Sequence, residues 1–155
     1  MAVDRRVKYT KMVLQESLIE LLKEKPIARI TVKELCQKAD VNRATFYAHY
    51  TDQFDHLRQI ENKFITDINA YLDDYVTAEG EQDVLITVEK IFEYVQANAE
   101  LCRVLLSNNG NMDFQDKVIQ MISTRVLDLW KAGPAVDQII AEYAYVFIAN
   151  GSVGI

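Results

Sequence analysis

The stretch at residues 31–50 reads TVKELCQKADVNRATFYAHY and predicts two short helices joined by a tight turn. Thr31 is a good N-cap residue, and Glu34 follows three positions later, which is the spacing of a capping box. Asp40 and Asn42 favour turns and caps over helix interiors, so they interrupt the helical pattern. Asn42 is placed to cap the second helix.

The predicted second helix has one apolar side and one side suited to contact with a nucleic acid. Phe46 and Tyr50 lie four positions apart, and therefore on one helical face. The opposite face and its flanks carry Arg43, Ala44, Thr45, Tyr47, Ala48 and His49. Small residues let a helix approach a groove closely, arginine pairs with guanine edges, and hydroxyl and imidazole groups donate to phosphate oxygens. This is the layout of a helix-turn-helix recognition helix; the alternative is a short helical hairpin with a solvated polar face.

The same stretch resembles the DNA-binding region of TetR/AcrR-type transcriptional regulators. The matching residues are Ile30-Thr31-Val32, Leu35, Ala39, Val41, Ala44-Thr45-Phe46-Tyr47 and His49-Tyr50. The resemblance covers about the first 60 residues closely and the remainder only in its helical layout. It implies an all-α, TetR-like fold with a three-helix helix-turn-helix DNA-binding domain at 1–53. A helical ligand-binding and dimerisation bundle would follow at 54–155.

The resemblance also implies a function. It predicts a sequence-specific transcriptional regulator, a repressor rather than an activator, that responds to a small effector. The expected partners are double-stranded DNA with an inverted-repeat operator and a second copy of the chain, joined through the C-terminal helices. The two heads would then lie one turn of DNA apart, about 34–36 Å. The predicted DNA-binding residues are Arg43 and Ala44 at base edges, with Thr45, Tyr47, His49, Lys8 and Lys33 at phosphates.

Four positions depart from the family pattern. Asp40 stands where glycine is usual, and Ala48, Thr51 and Gln53 stand where basic residues are common. The last three substitutions remove charge that would bind phosphates. They favour the alternative function, a helical interaction or ligand-binding protein that keeps the fold but has lost specific DNA binding.

Charge is distributed unevenly along the 155 residues, whose formal net charge is -6. Residues 1–60 hold 11 Lys+Arg and 8 Asp+Glu, which gives +3; residues 61–155 hold 6 and 15, which gives -9. Because salt screens fields beyond about 10 Å, a basic head on an acidic body can still approach DNA. A general nucleic-acid coat protein would be basic throughout.

The sequence predicts one helix before residues 31–50 and another after them. Residues 4–11 are polar and basic, and predict either an arm that follows the DNA backbone or minor groove or a frayed, solvated terminus. A first helix is predicted over residues 10–24, ended by Pro26. A long helix is predicted from an N-cap at Thr51-Asp52 to about residue 78, with Phe54 and Leu57 on its apolar side and Gly80 at its end. The resemblance implies that this helix links the DNA-binding domain to the C-terminal bundle and transmits movement between them.

Four further helices are predicted at about residues 82–97, 99–107 and 113–131, and from Ala135 onward, with a turn at 108–111. The last segment, YAYVFIANGSVGI, lacks a polar face, so another element must cover it. Because the family continues into a further helix, we expect the chain to be incomplete at its C-terminus. The alternative is that this helix pairs with a second subunit.

No catalytic or metal-binding spacing is present, so the sequence predicts neither an enzyme nor a cofactor nor a metal site. His49 and His56 fit no zinc motif, and there is no phosphate-binding glycine loop. Cys36 and Cys102 fit no metal or redox spacing and predict buried, reduced thiols of a cytoplasmic protein. The family's effector cavity suggests a ligand pocket, for which ordinary core packing is the alternative. Its candidate lining residues are Phe64, Ile68, Tyr71, Phe92, Val95, Met121, Leu129 and Trp130.

Overall fold

The computed structural model describes residues 2–79 and 84–132. All regular structure in this part of the chain is helical, which confirms the all-α prediction. The helices are α1 (Ala2–Glu24), α2 (Val32–Lys38), α3 (Arg43–Tyr47), α4 (Gln53–Glu79), α5 (Val84–Ala97), α6 (Ala99–Leu105) and α7 (Met112–Ala132). The predicted roles of Gly80 and of the helix from Ala135 fall outside the described residues.

The first helix is longer than the sequence predicts, because α1 begins at Ala2 and not near residue 10. Residues 4–11 are therefore the first turns of α1 and not a frayed terminus, and their contact with the DNA backbone or minor groove stays a prediction. These residues lack an apolar stripe, which hid the helix from a periodicity argument. Once the apolar residues further along α1 have nucleated the helix, arginine and lysine extend it at little cost in free energy.

Residues 1–64 and 100–112 form one compact unit, here called the head unit. Within it, α1 packs against α2, and α2 against α3. The apolar residues of α1 recur at helical spacing and form one buried stripe. The buried apolar side chains of the head unit include Leu14, Leu18, Leu21, Leu22, Ile27, Ile30, Leu35, Cys36, Phe46, Tyr50, Leu57, Ile60, Phe64, Cys102, Val104 and Leu105. Full burial of each large aliphatic or aromatic side chain contributes about 1.5–3 kcal/mol.

The loop after α6 is hydrogen-bonded to the end of α1. The side-chain amide of Asn109 donates to the carbonyl oxygen of Leu22 at 3.0 Å. The backbone carbonyl oxygen of Asn109 accepts from the backbone N–H of Ile27 at 3.0 Å. Lys23 of α1 also forms an ion pair with Glu100 of α6. These bonds make α6 and its loop part of the head unit, although 77 residues separate Lys23 from Glu100 in the chain.

Residues 65–99 and 113–155 form the second compact unit, the body unit. Its described buried apolar side chains include Phe114 and Val118 and a cluster formed by Ile68, Leu72 and Ile91. The partly buried side chains packed against this cluster are Tyr71, Tyr94, Met121 and Ile122. The long helix α4 contributes residues to both units. The domain boundary after residue 53 stays a prediction.

Candidate nucleic-acid interface

The turn between α2 and α3 has the hydrogen bonds of a Schellman motif. The backbone N–H of Val41 donates to the carbonyl oxygen of Cys36 at 3.0 Å, and that of Asp40 donates to Gln37 at 3.4 Å. Asp40 lies between these bonds in the left-handed region, with φ of 52°. Glycine is the usual residue at this position because it has no Cβ to clash there. The sequence identified Asp40 as the position normally held by glycine, and the structure gives the reason.

Side chains cap both short helices. The hydroxyl oxygen of Thr31 accepts from the backbone N–H of Glu34 at 3.2 Å, which is one half of the predicted capping box. The Glu34 carboxylate pairs with Lys25 instead of bonding back to the cap. At α3, the side-chain oxygen of Asn42 accepts from the backbone N–H of Thr45 at 2.7 Å, so the predicted cap is formed. The helix ends at Tyr47, earlier than the Phe46–Tyr50 spacing predicts.

Helix α3 buries one side chain and exposes the residues predicted to contact DNA. Phe46 is fully buried, whereas Arg43, Ala44 and Tyr47 are exposed, Tyr47 by 56%. Arg43 forms no ion pair with any residue in the described part of the chain. The exposed residues of α3 therefore present a guanidinium, a phenol and a small side chain to solvent, and the ring of Tyr47 also contacts that of Phe46 edge-on, with centroids 5.5 Å apart.

An aromatic cluster fixes α3 to α4. The ring of Phe46 lies 5.3 Å from that of Tyr50 and 6.0 Å from that of His56. The rings of Tyr50 and His56 are tilted by 32° to each other, with centroids 4.0 Å apart. His56 is fully buried, and neither ring nitrogen has a hydrogen-bond partner among the described residues. Burial lowers the pKa of His56 from 6.5 to about 4, so the ring is neutral at pH 7.

The burial of His56 corrects the sequence analysis, which placed Phe54 on the apolar side of the long helix. Phe54 is 40% exposed, and His56 occupies the buried position beside Leu57. The buried residues of this turn are therefore His56, Leu57 and Ile60. Hydropathy alone favours phenylalanine for a core position. His56 is buried in contact with the ring of Tyr50, and the sequence alone does not give the position of that ring.

The other predicted DNA-binding residues differ in their surroundings. Lys33 is exposed in the first turn of α2, and Lys8 is exposed on α1. Thr45 is half-buried, and its hydroxyl donates to the side-chain oxygen of Asn42 at 3.0 Å. His49 is half-buried beside Tyr50, with ring centroids 6.2 Å apart. The DNA-binding roles of all these residues stay predictions.

The predicted ligand-pocket residues do not form one group. Phe64 is buried in the head unit, whereas Ile68, Tyr71 and Met121 belong to the core cluster of the body unit. Phe92 is 69% exposed and Val95 36% exposed, so both lie outside that cluster. The buried face of α5 runs through Ile91 and Tyr94. The side chains of Leu129 and Trp130 lie outside the described residues, and the pocket stays a prediction.

Two short capped helices joined by a Schellman turn, with the second exposing polar and small residues, define the helix-turn-helix class. Comparisons with known proteins agree with this class. Residues 82–155 match the TetR family model described as "Transcriptional regulator C-terminal region". A 71-residue segment, 45% of the chain, is 34% identical to the uncharacterized HTH-type transcriptional regulator YxbF of Bacillus subtilis (strain 168). That segment spans 19% of YxbF. The two matches support the assignment to the TetR-family transcriptional regulators that residues 31–50 indicated.

Two features are absent from the described residues, 2–79 and 84–132. No helix there is both long enough and apolar enough to cross a membrane. No group of three or more histidine, cysteine, aspartate or glutamate side chains there is arranged to hold a metal ion. Both cysteines are free and buried, and burial raises the pKa of the Cys36 and Cys102 thiols.

Proposed function

We propose that this chain is a cytoplasmic, sequence-specific DNA-binding regulator that places α3 in the major groove of an inverted-repeat operator. The observation that carries the proposal is the two-sided character of α3. Phe46 anchors the helix, and the exposed surface of the helix and its C-cap presents Arg43 and Tyr47 beside two alanines, Ala44 and Ala48. The Arg43 guanidinium, which forms no ion pair with the described residues, can fork onto the O6 and N7 acceptors of guanine. The alanines let the helix approach the bases closely.

The remaining parts of the proposal follow the family. The regulator acts as a homodimer through its C-terminal helices and represses transcription by occupying its operator. A small effector binds in the body unit and changes the affinity of the heads for DNA. Lys8, Lys33, Thr45 and His49 contact phosphates that orient the head, because phosphate contacts fix register and base contacts carry the sequence information.

A second function has one observation in its favour. Ala48, Thr51 and Gln53, which stand where basic residues are common in the family, lie in or next to the α3–α4 connection, and Ala48 and Thr51 are exposed. A head with so little charge there would bind phosphates weakly. In this alternative the chain keeps the fold and binds another helical protein or a small ligand without reading DNA.

The two functions are separated by titrating promoter DNA from the gene neighbourhood of the protein, with scrambled duplex as competitor. If α3 reads bases, Arg43→Ala lowers the affinity for the specific duplex by about 1–3 kcal/mol, and Tyr47→Ala lowers it as well. Arg103→Ala is the matched control, because Arg103 is an exposed arginine of the head unit on α6. Equal, weak binding to every duplex, unchanged by Arg43→Ala, would favour the second function.

A further inference from the structure

A cleft in the head unit opens between α1 and α4. Its volume is about 390 Å³, within the range of about 300–1,000 Å³ typical of small-molecule sites. Three lysines line it, Lys8 and Lys11 from α1 and Lys63 from α4, and all three are exposed. The lining includes one acidic residue, Glu16. The formal charge of the lining side chains is therefore +2, in a chain whose net charge is -6.

Helical spacing brings these cations together. Lys8 and Lys11 are three positions apart on α1, and Gln15 follows four positions after Lys11, so the three side chains share one face. Gln59 and Lys63 are four positions apart on α4 and face them across the cleft. Like charges at such spacing destabilise a helix. An anion between the two helices would remove that repulsion.

The rest of the lining suits a phosphate that is attached to a larger group. Lysine binds phosphate as a point charge, and the amide of Gln15 can donate a hydrogen bond to a phosphate oxygen. Met12, which is 47% exposed, and the ring of the buried Tyr50 provide an apolar wall. A bare inorganic ion would make no apolar contact with this wall. The organic group that carries a phosphate can pack against it.

The cleft is also connected to the segment that follows α3. Tyr50 is at once a wall of the cleft and a member of the aromatic cluster that holds Phe46. The side-chain amide of Gln59, another lining residue, donates to the backbone carbonyl oxygen of His49 at 3.5 Å. A ligand in the cleft would therefore contact residues that position the end of the candidate recognition segment.

We propose that the cleft between α1 and α4 binds a phosphate group carried on a larger molecule, with Lys11 and Lys63 holding the phosphate from opposite helices. The phosphate can come from a soluble phosphorylated compound or from the DNA backbone. Only the second source rests on the proposed DNA-binding function.

The test replaces both lysines in the full chain, as Lys11→Gln/Lys63→Gln. The matched control, Arg103→Gln/Lys117→Gln, removes two exposed positive charges outside the cleft. Circular dichroism and thermal unfolding verify that both variants fold. Calorimetric titrations at low salt with inorganic pyrophosphate and with adenosine 5′-diphosphate test for a soluble ligand. Titrations of a 20-base-pair duplex at several salt concentrations test for a backbone contact.

For a soluble ligand, wild type and control bind a probe saturably, and the cleft variant binds it at least tenfold more weakly. For a backbone phosphate, the slope of log K against log salt falls in magnitude by about 0.9 in the cleft variant alone, because one phosphate contact is lost. The proposal is overturned if the cleft variant matches the control in both titrations. If wild type binds no duplex, the DNA-binding function fails, and the pyrophosphate and nucleotide titrations still decide whether the cleft binds phosphate.

Discussion

At the scale of single residues, His56 makes the head unit sensitive to acid. Its pKa in the folded protein is about 4, against 6.5 for an exposed ring. The folded pKa is the lower one, so the unfolded chain binds a proton first as the pH falls below 6.5. We expect the free energy of unfolding to fall between pH 6.5 and pH 4, by up to about 3 kcal/mol from this residue. Urea unfolding at pH 7 and pH 4.5 measures the change.

Substitution isolates the contribution of His56 from that of the carboxylates. His56→Leu keeps a buried side chain of similar size but cannot take up a proton. We expect this variant to lose less stability than wild type between pH 7 and pH 4.5. His49→Leu, which removes the half-buried histidine instead, is the matched control. An equal pH dependence in His56→Leu and wild type would show that the buried ring contributes nothing to it.

Asp40 is a second residue whose surroundings predict a measurable effect. Its φ of 52° is in the left-handed region, where a Cβ costs roughly 1 kcal/mol and glycine costs nothing. We expect Asp40→Gly to raise the free energy of unfolding by about 0.5–1 kcal/mol. Thermal unfolding measures the gain. The contrasting variant is Asp52→Gly, which should lower stability because the Asp52 side chain caps the backbone N–H of Asp55 at 2.7 Å.

At the scale of elements, α3 depends on its cap because it is only five residues long. An isolated helix of this length is unstable, and Asn42 satisfies one of its free N–H groups. We expect Asn42→Ala to cost about 1 kcal/mol in stability and to weaken duplex binding through disorder of α3. Asn42→Ser retains a capping oxygen and should behave nearly as wild type. A fully stable Asn42→Ala variant would mean that Phe46 and the turn suffice to hold α3.

The loop after α6 provides a second prediction at this scale. Asn109 joins it to α1 and to the turn before α2 through two hydrogen bonds. We expect Asn109→Ala to lower the free energy of unfolding by about 1–3 kcal/mol, because the carbonyl oxygen of Leu22 loses its side-chain donor. Asn108→Ala is the matched control, since Asn108 is the exposed neighbour. Chemical denaturation that does not distinguish the two variants would show that the loop is not fastened at Asn109.

At the scale of the whole molecule, the features that depend on neighbouring residues in the chain were predicted correctly from the sequence. The caps at Thr31 and Asn42, the burial of Phe46 and the helical content all follow from residue type and spacing. The start of α1 could not be predicted, because residues 4–11 have no apolar period. The burial of His56 could not be predicted either, because it depends on a ring contact with Tyr50.

The cleft between α1 and α4 could not be predicted from the sequence either, because it depends on contacts between distant parts of the chain. Lys11 and Lys63 are 52 positions apart, and only packing within the head unit brings their helices together. Lys11 was placed in the basic stretch at residues 4–11, and Lys63 received no assignment from the sequence. The DNA-binding residues, in contrast, were predictable as candidates because α3 carries them within one short segment.

The measurement that tests the central claim most directly is a titration of wild type and Arg43→Ala with promoter duplex, in the presence of excess scrambled duplex. We predict saturable, competitor-resistant binding by wild type and an affinity lower by about 1–3 kcal/mol in Arg43→Ala, while Arg103→Ala binds as wild type does. Wild-type binding that the scrambled duplex abolishes, with the same affinity in Arg43→Ala, would contradict the claim that α3 reads DNA sequence.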